Sequence, residues 1–162
     1  MLLTLLLTAC GYHLRGEAVM PFKTIYISAS NPNSALVKEL RKDLKTNKTE
    51  VVNKPDKADI ILNISLEQPD MVILSLDATG LVNEYQLRYR VSLRAYDNQQ
   101  REWLPASELM LTRDLICDNS QILAMSSEEA LLFQNMSSDM AQQILRRLSH
   151  AKPVEPPEKG CS

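Results

Sequence analysis

The sequence predicts an α+β domain in which two helices pack on one face of a mostly antiparallel or mixed β-sheet of about four strands. Three observations carry that prediction. From Tyr85 to Ala95 the chain alternates strictly, with Tyr85, Leu87, Tyr89, Val91, Leu93 and Ala95 on one side and Gln86, Arg88, Arg90, Ser92 and Arg94 on the other. Period two places the apolar set on one sheet face and all three arginines on the opposite face. Phe133, Met136, Met140, Ile144 and Leu148 recur at three- and four-residue spacing, the apolar stripe of a long helix. The order strand, helix, several strands, long helix then makes the helices the cover of one sheet face.

Taken in order, the chain opens with an apolar run from Leu2 to Ala9, followed by Cys10. The run is far shorter than the roughly 20 residues a membrane-spanning helix needs, and it shows neither helical nor alternating periodicity. A short apolar stretch closed by small residues is the outline of a secretory signal. The cysteine directly after it resembles the lipobox of bacterial lipoproteins, where the thiol is diacylated, the chain is cut before it and the new α-amine is acylated. The competing reading is a short core segment with Cys10 as a small buried thiol. Residues 1–9 are therefore read as a signal remnant. No basic residue precedes Leu2, which points to a start codon upstream or to a truncated chain. Three acyl chains on Cys10 would anchor the protein permanently. Gly11 stands where lipoproteins kept at the inner membrane usually carry Asp, so the outer membrane is the expected location.

Residues 10–150 are read as the single domain. Residues 22–27, rich in β-branched and aromatic side chains after Pro21, form the first strand. Asn31-Pro32-Asn33-Ser34 supplies a turn and an N-cap. The helix that follows buries Leu36, Val37, Leu40 and Leu44 and presents Lys38, Glu39, Arg41 and Lys42 to water. Residues 53–56, with Pro55, break the pattern. From Asp59 to Leu115 the signal is β throughout: Ile60, Leu62, Ile64 and Leu66 alternate with Ile61, Asn63, Ser65 and Glu67. Turns are expected at Thr79-Gly80 and at residues 96–99. The second helix covers about 120–148. Residues 151–162, rich in proline and charge, are read as a disordered tail.

Composition removes several function classes. A net charge of −2 over 162 residues offers no footprint for a polyanion, so no nucleic-acid partner is expected. Three cysteines are too few for a disulfide scaffold. With Cys10 acylated, Cys117 and Cys161 could pair in an oxidising compartment, although Cys161 ends the tail. The two histidines, His13 and His150, have no carboxylate or nucleophile beside them in the sequence. No GxSxG, HExxH, P-loop or dinucleotide fingerprint occurs, and no His/Cys cluster has metal-ligand spacing. Cys117 is a lone cysteine without CxxC spacing. Neither catalytic residues nor a metal or cofactor are expected.

Cys10-Gly11-Tyr12-His13-Leu14-Arg15 resembles the mature start of the lipopolysaccharide-assembly lipoprotein (LptE) family, whose pattern is close to Cys-Gly-aromatic-His-Leu-Arg. Glu84-Tyr85-Gln86 is similar to the Glu-Tyr-Gln that opens a central strand in that family, and the order of elements also fits. The resemblance implies a lipoprotein that sits in the lumen of a large outer-membrane β-barrel, the lipopolysaccharide-assembly protein LptD. It further implies that the chain helps that barrel assemble and binds lipopolysaccharide on its way to the outer leaflet. A barrel of many strands leaves a lumen wide enough for a plug.

Such a ligand carries phosphates, which arginine grips with paired, charge-assisted hydrogen bonds. Arg88, Arg90 and Arg94 form the best basic stripe of the chain and are the expected lipopolysaccharide-binding residues, with Arg101 nearby in sequence. The alternative is an ordinary solvated sheet face, or one that meets the barrel wall. Some family members carry bases in the loop before the Glu-Tyr-Gln strand and near the start of the last helix. The matching residues 77–82 and 125–128 contain none here. Two other functions stay open: an auxiliary lipoprotein of another envelope lipid-transport system, and a purely structural envelope lipoprotein.

Overall fold

Strand β1 (Thr24–Ala29) starts and ends two residues later than the sequence places it, and its start is tied down by one carboxylate. Asp59 Oδ2 accepts the backbone N–H groups of Lys23 and Thr24, each at 2.9 Å, while the Asp59 N–H donates to Thr24 Oγ1 at 2.8 Å. These bonds hold the Asp59 carboxyl below its usual pKa, the Thr24 N–H contributing most. The computed structural model describes residues 19–117 and 122–154. Cys10, His13 and Cys161 lie outside the described residues.

Helix α1 (Ala35–Thr46) follows, with Ser34 as N-cap: its Oγ accepts the Val37 N–H at 3.2 Å. Leu36, Val37, Leu40 and Leu44 are all buried. After α1 come β2 (Glu50–Val51), a short 3-10 turn (Pro55–Lys57), β3 (Ile60–Leu76), β4 (Val82–Tyr96), β5 (Glu102–Ile116) and α2 (Ile122–Ser149). The strands form one mixed sheet in the order β2-β1-β3-β4-β5. β1 runs parallel to β2 and β3, and β3, β4 and β5 are mutually antiparallel. Parallel neighbours need a crossover, which α1 provides. The fifth strand, β2, has only two residues, too few for any period-two signal.

Both helices cover the same sheet face. Leu87, Tyr89, Val91, Leu93 and Ala95 are buried in one core with Met136, Met140, Ile144 and Leu148 of α2 and the apolar stripe of α1. Phe133 packs against this core only in part. Among the described residues no helix covers the other face. Among the described residues no helix is long and apolar enough to cross a membrane.

Two departures from simple alternation shape the rest. The β3–β4 register shifts between Ile64 and Leu66, so Ser65 is an extra residue. Leu66 therefore pairs with Ser92 and turns to the uncovered face, and Glu67 takes the helix-facing position opposite Val91. At the other end, the β4–β5 turn is built on Asp97, which is buried. Its carboxylate accepts from the Gln99 and Arg101 N–H groups, Arg101 Nε and Trp103 Nε1, at 2.8 to 3.3 Å. Burial alone would raise its pKa, and these donors outweigh that and lower it.

The chain stays attached to the domain slightly beyond the boundary that composition suggests. Ala151 is buried, and the Val154 N–H donates to Glu102 O at 2.7 Å. Residues 151–154 thus extend the edge of β5, where the tail was expected to have left the fold. Residues 155–162 lie outside the described residues.

Candidate functional site

The uncovered face of the β3–β4–β5 sheet carries the predicted basic stripe. Its centre is β4, because even-numbered residues there point away from the helices while the odd ones from Leu87 to Ala95 are buried. Register fixes the neighbours. Arg88 lies between Asp70 and Thr112, Arg90 between Gln68 and Met110, Ser92 between Leu66 and Glu108, and Asn63 stands opposite Arg94. The structure therefore brings Arg88, Arg90 and Arg94 onto one surface. Arg101 is not part of it, being committed to Asp97 at 2.8 Å in the turn.

Each arginine of the stripe is positioned by an uncharged partner. Arg88 Nε donates to Gln86 Oε1 at 3.1 Å, and Arg90 Nη2 donates to Gln68 Oε1 at 3.1 Å. Arg94 is exposed and lies over the Tyr96 ring, 4.8 Å from its centroid, a cation–π geometry. Arg90 Nε is buried and has no hydrogen-bond partner. Among the described residues, none of the three makes an ion pair. Three guanidinium groups held by neutral acceptors keep charge and donors available for an anion. Asp70, Glu108 and Asp114 share the face, so the net field is small and any preference for an anion comes from the local arrangement of donors.

Gln68, Gln86 and Tyr96 belong to this arrangement and were missed from sequence. Gln86 alternates visibly with the arginines. Gln68 reaches Arg90 only because of the extra residue at Ser65, which no periodicity reveals.

A second feature lies on the helix side. An open groove of about 610 Å³ runs between β3 and α2, lined by Glu67, Pro69, Met71, Tyr89, Glu129 and Phe133 among others. Tyr89 donates to Glu67 at its floor. Elsewhere, Cys117 is half-buried and burial pushes its thiol pKa up, which makes it a poor nucleophile. Among the described residues no group of three or more His, Cys, Asp or Glu side chains could hold a metal ion.

Comparison with known proteins adds to this picture. A family model described as "LptE: Lipopolysaccharide-assembly" matches residues 22–148. The chain is 27% identical over 150 residues to the LPS-assembly lipoprotein LptE of Pectobacterium atrosepticum, spanning 90% of this chain and 80% of that one. Among solved structures, it resembles lipoprotein B from Nitrosomonas europaea with a TM-score of 0.74 at 36% identity, covering 86% of this chain and 90% of that one. The rare lipoprotein B from Shewanella oneidensis superimposes with a TM-score of 0.67 at 27% identity, covering 76% and 91%.

Proposed function

Because the chain belongs to the LptE lipopolysaccharide-assembly family, we propose that it is the lipoprotein partner of the outer-membrane β-barrel LptD. In this reading it is anchored through Cys10 on the periplasmic side of the outer membrane, plugs the barrel and helps it assemble. It also binds lipopolysaccharide during insertion at the cell surface, and its role is non-catalytic.

The observation that carries the ligand half is the uncovered sheet face, where Arg88, Arg90 and Arg94 are held by glutamine and tyrosine side chains and by no carboxylate. Guanidinium groups so placed suit the phosphates of lipid A. The barrel half is supported by shape. β3 has 17 residues, which at about 3.3 Å each gives a sheet roughly 55 Å long, longer than the ~30 Å hydrocarbon core a lumen must cross. A second reading, in which the arginine face meets the barrel wall, is favoured by Asp70, Glu108 and Asp114, since a mixed-charge surface suits a polar lumen.

Replacing Arg88, Arg90 and Arg94 together with serine tests the assignment. The expected result is a folded protein by circular dichroism that still co-purifies with the barrel and binds purified lipopolysaccharide more weakly. Loss of the barrel with lipopolysaccharide binding intact would move the stripe to the barrel contact. Unchanged binding to both would make it a solvated face.

A further inference from the structure

The groove between β3 and α2 holds a carboxylate that the fold itself leaves incomplete. Glu67 lines it, with Oε1 accepting the Tyr89 hydroxyl at 2.6 Å and Oε2 buried without a partner. The register shift at Ser65 is what turns Glu67 to this side, where the alternation of Ile60, Leu62 and Ile64 would have placed Leu66. Bulges recur where a side chain is re-aimed for function. A buried oxygen left unpaired costs stability, so position 67 conflicts with the fold in the way a binding residue does.

The surroundings specify the missing partner. Pro69, Met71 and Phe133 make apolar walls, and Glu129 of α2 adds a second carboxylate. None of the residues lining the groove is Lys, Arg or His. The two elements that form it supply no base either: β3 carries none from Ile60 to Leu76, and α2 none from Ile122 to Leu145. The complementary occupant has an apolar stem and a cationic tip rich in donors, which is the make-up of an arginine side chain. Its planar fork of five N–H donors can serve Glu67 Oε2 and Glu129 together, and its plane can lie on the Phe133 ring. Lysine offers a point charge without that fork. Arginine is also enriched at protein interfaces. The groove is roomy enough, since its volume of about 610 Å³ falls within the roughly 300–1,000 Å³ of binding pockets. Among the described residues β3 pairs only with β4 past Ile64, so the strand lining the groove has a free edge.

We infer that this groove is a docking site for a protein partner that presents an arginine side chain, its stem along Pro69, Met71 and Phe133 and its guanidinium on Glu67 and Glu129. The site lies on the helix side, opposite the face of Arg88, Arg90 and Arg94, and so goes beyond the lipopolysaccharide reading.

The test uses the full chain and two probes: a blocked pentapeptide, Gly-Val-Arg-Val-Gly, and the same peptide with citrulline, which keeps the shape of arginine and loses its charge. Backbone amide NMR follows binding at low and high salt. The arginine peptide should perturb amides of residues 67–71 and 129–134 and bind about tenfold more tightly than the citrulline peptide, an advantage that shrinks at high salt. Glu67→Gln and Glu129→Gln should each remove most of that advantage. Glu129 lies outside the core, so Glu129→Gln keeps the test decisive should circular dichroism show that Glu67→Gln folds poorly. Equal binding of the two peptides would overturn the inference, as would an arginine preference that survives the substitutions. Perturbations confined to the opposite face, around Glu108 and Asp114, would overturn it as well. Neither probe involves lipopolysaccharide or the barrel, so the result is separate from the outcome of those proposals.

Discussion

Tyr89 donates its phenolic hydrogen to Glu67 Oε1 at 2.6 Å, diagonally across the β3–β4 pair. The bond exists because the extra residue at Ser65 rotates Glu67 onto the helix-facing side. Glu67 Oε2 is buried without a partner, so the Tyr89 hydroxyl is the side-chain donor on which this carboxylate depends.

Tyr89→Phe should therefore destabilise the domain by about 1–3 kcal/mol, the cost of leaving a buried acceptor unsatisfied. It should also change the alkaline limit. Burial first, and then Glu67, push the phenol well above its ordinary value. A raised folded pKa means the stabilisation is complete below the unfolded value of about 10 and is lost as pH rises beyond it, at up to ~1.4 kcal/mol per pH unit. Urea denaturation at neutral pH and near pH 11 should show a shallower alkaline loss in the phenylalanine variant. Parallel losses in the two proteins would mean the hydroxyl is not the titrating group.

Adjacent residues on β4 should behave in opposite ways. Leu93 is 2% exposed and belongs to the core with Met136, Met140 and Ile144. Leu93→Ala should cost about 2–5 kcal/mol. Arg94 is exposed and stacks on Tyr96, and Arg94→Ala should cost no more than about 1 kcal/mol. Thermal melts of the two variants check the assignment of faces, and similar small effects in both would contradict it.

The β4–β5 turn should set the acid limit. Asp97 gathers its donors from the turn and from Trp103, and Trp103 packs edge-on against Phe22 at 6.2 Å between centroids. Because the donors lower its pKa, the stability it contributes is present above the unfolded carboxylate value of about 4 and disappears as pH falls through the lower folded value. Asp97→Asn should lower stability at neutral pH by about 1–3 kcal/mol and flatten the loss between about pH 4 and 2. Trp103 fluorescence during acid titration reports the same event directly.

Most of this fold was legible because burial imposes a period on the residues it selects. The strict alternation of residues 85–95, the α2 stripe and Ser34 as a cap each reflect a local rule. What stayed hidden is what register decides. Leu66 continues the alternation of Ile60, Leu62 and Ile64 in sequence, yet one extra residue at Ser65 sends it to the opposite face. The same shift brings Gln68 to Arg90 and Glu67 to Tyr89. The two-residue β2 and the Val154 attachment to β5 rest on backbone hydrogen bonds, which leave no mark on composition.

Arg90 offers the sharpest separation of function from stability. Its Nη2 donates to Gln68 Oε1 at 3.1 Å while Nε is buried with no partner. An unsatisfied buried donor costs about 1–3 kcal/mol, so the fold alone gains little from this arginine. Methionine keeps an apolar stem beside Met110 and removes the unpaired donor. Arg90→Met should therefore leave stability unchanged or raise it by up to about 1 kcal/mol, since Gln68 sits near the surface and can hydrogen-bond water in its place. If the guanidinium serves a phosphate, the same change should weaken lipopolysaccharide binding by about tenfold. Local conflict with the fold that is repaid in binding is the pattern expected of a functional residue. Melting and binding measured on one preparation decide the matter, and a clear fall in melting temperature with binding unchanged would make Arg90 a structural residue.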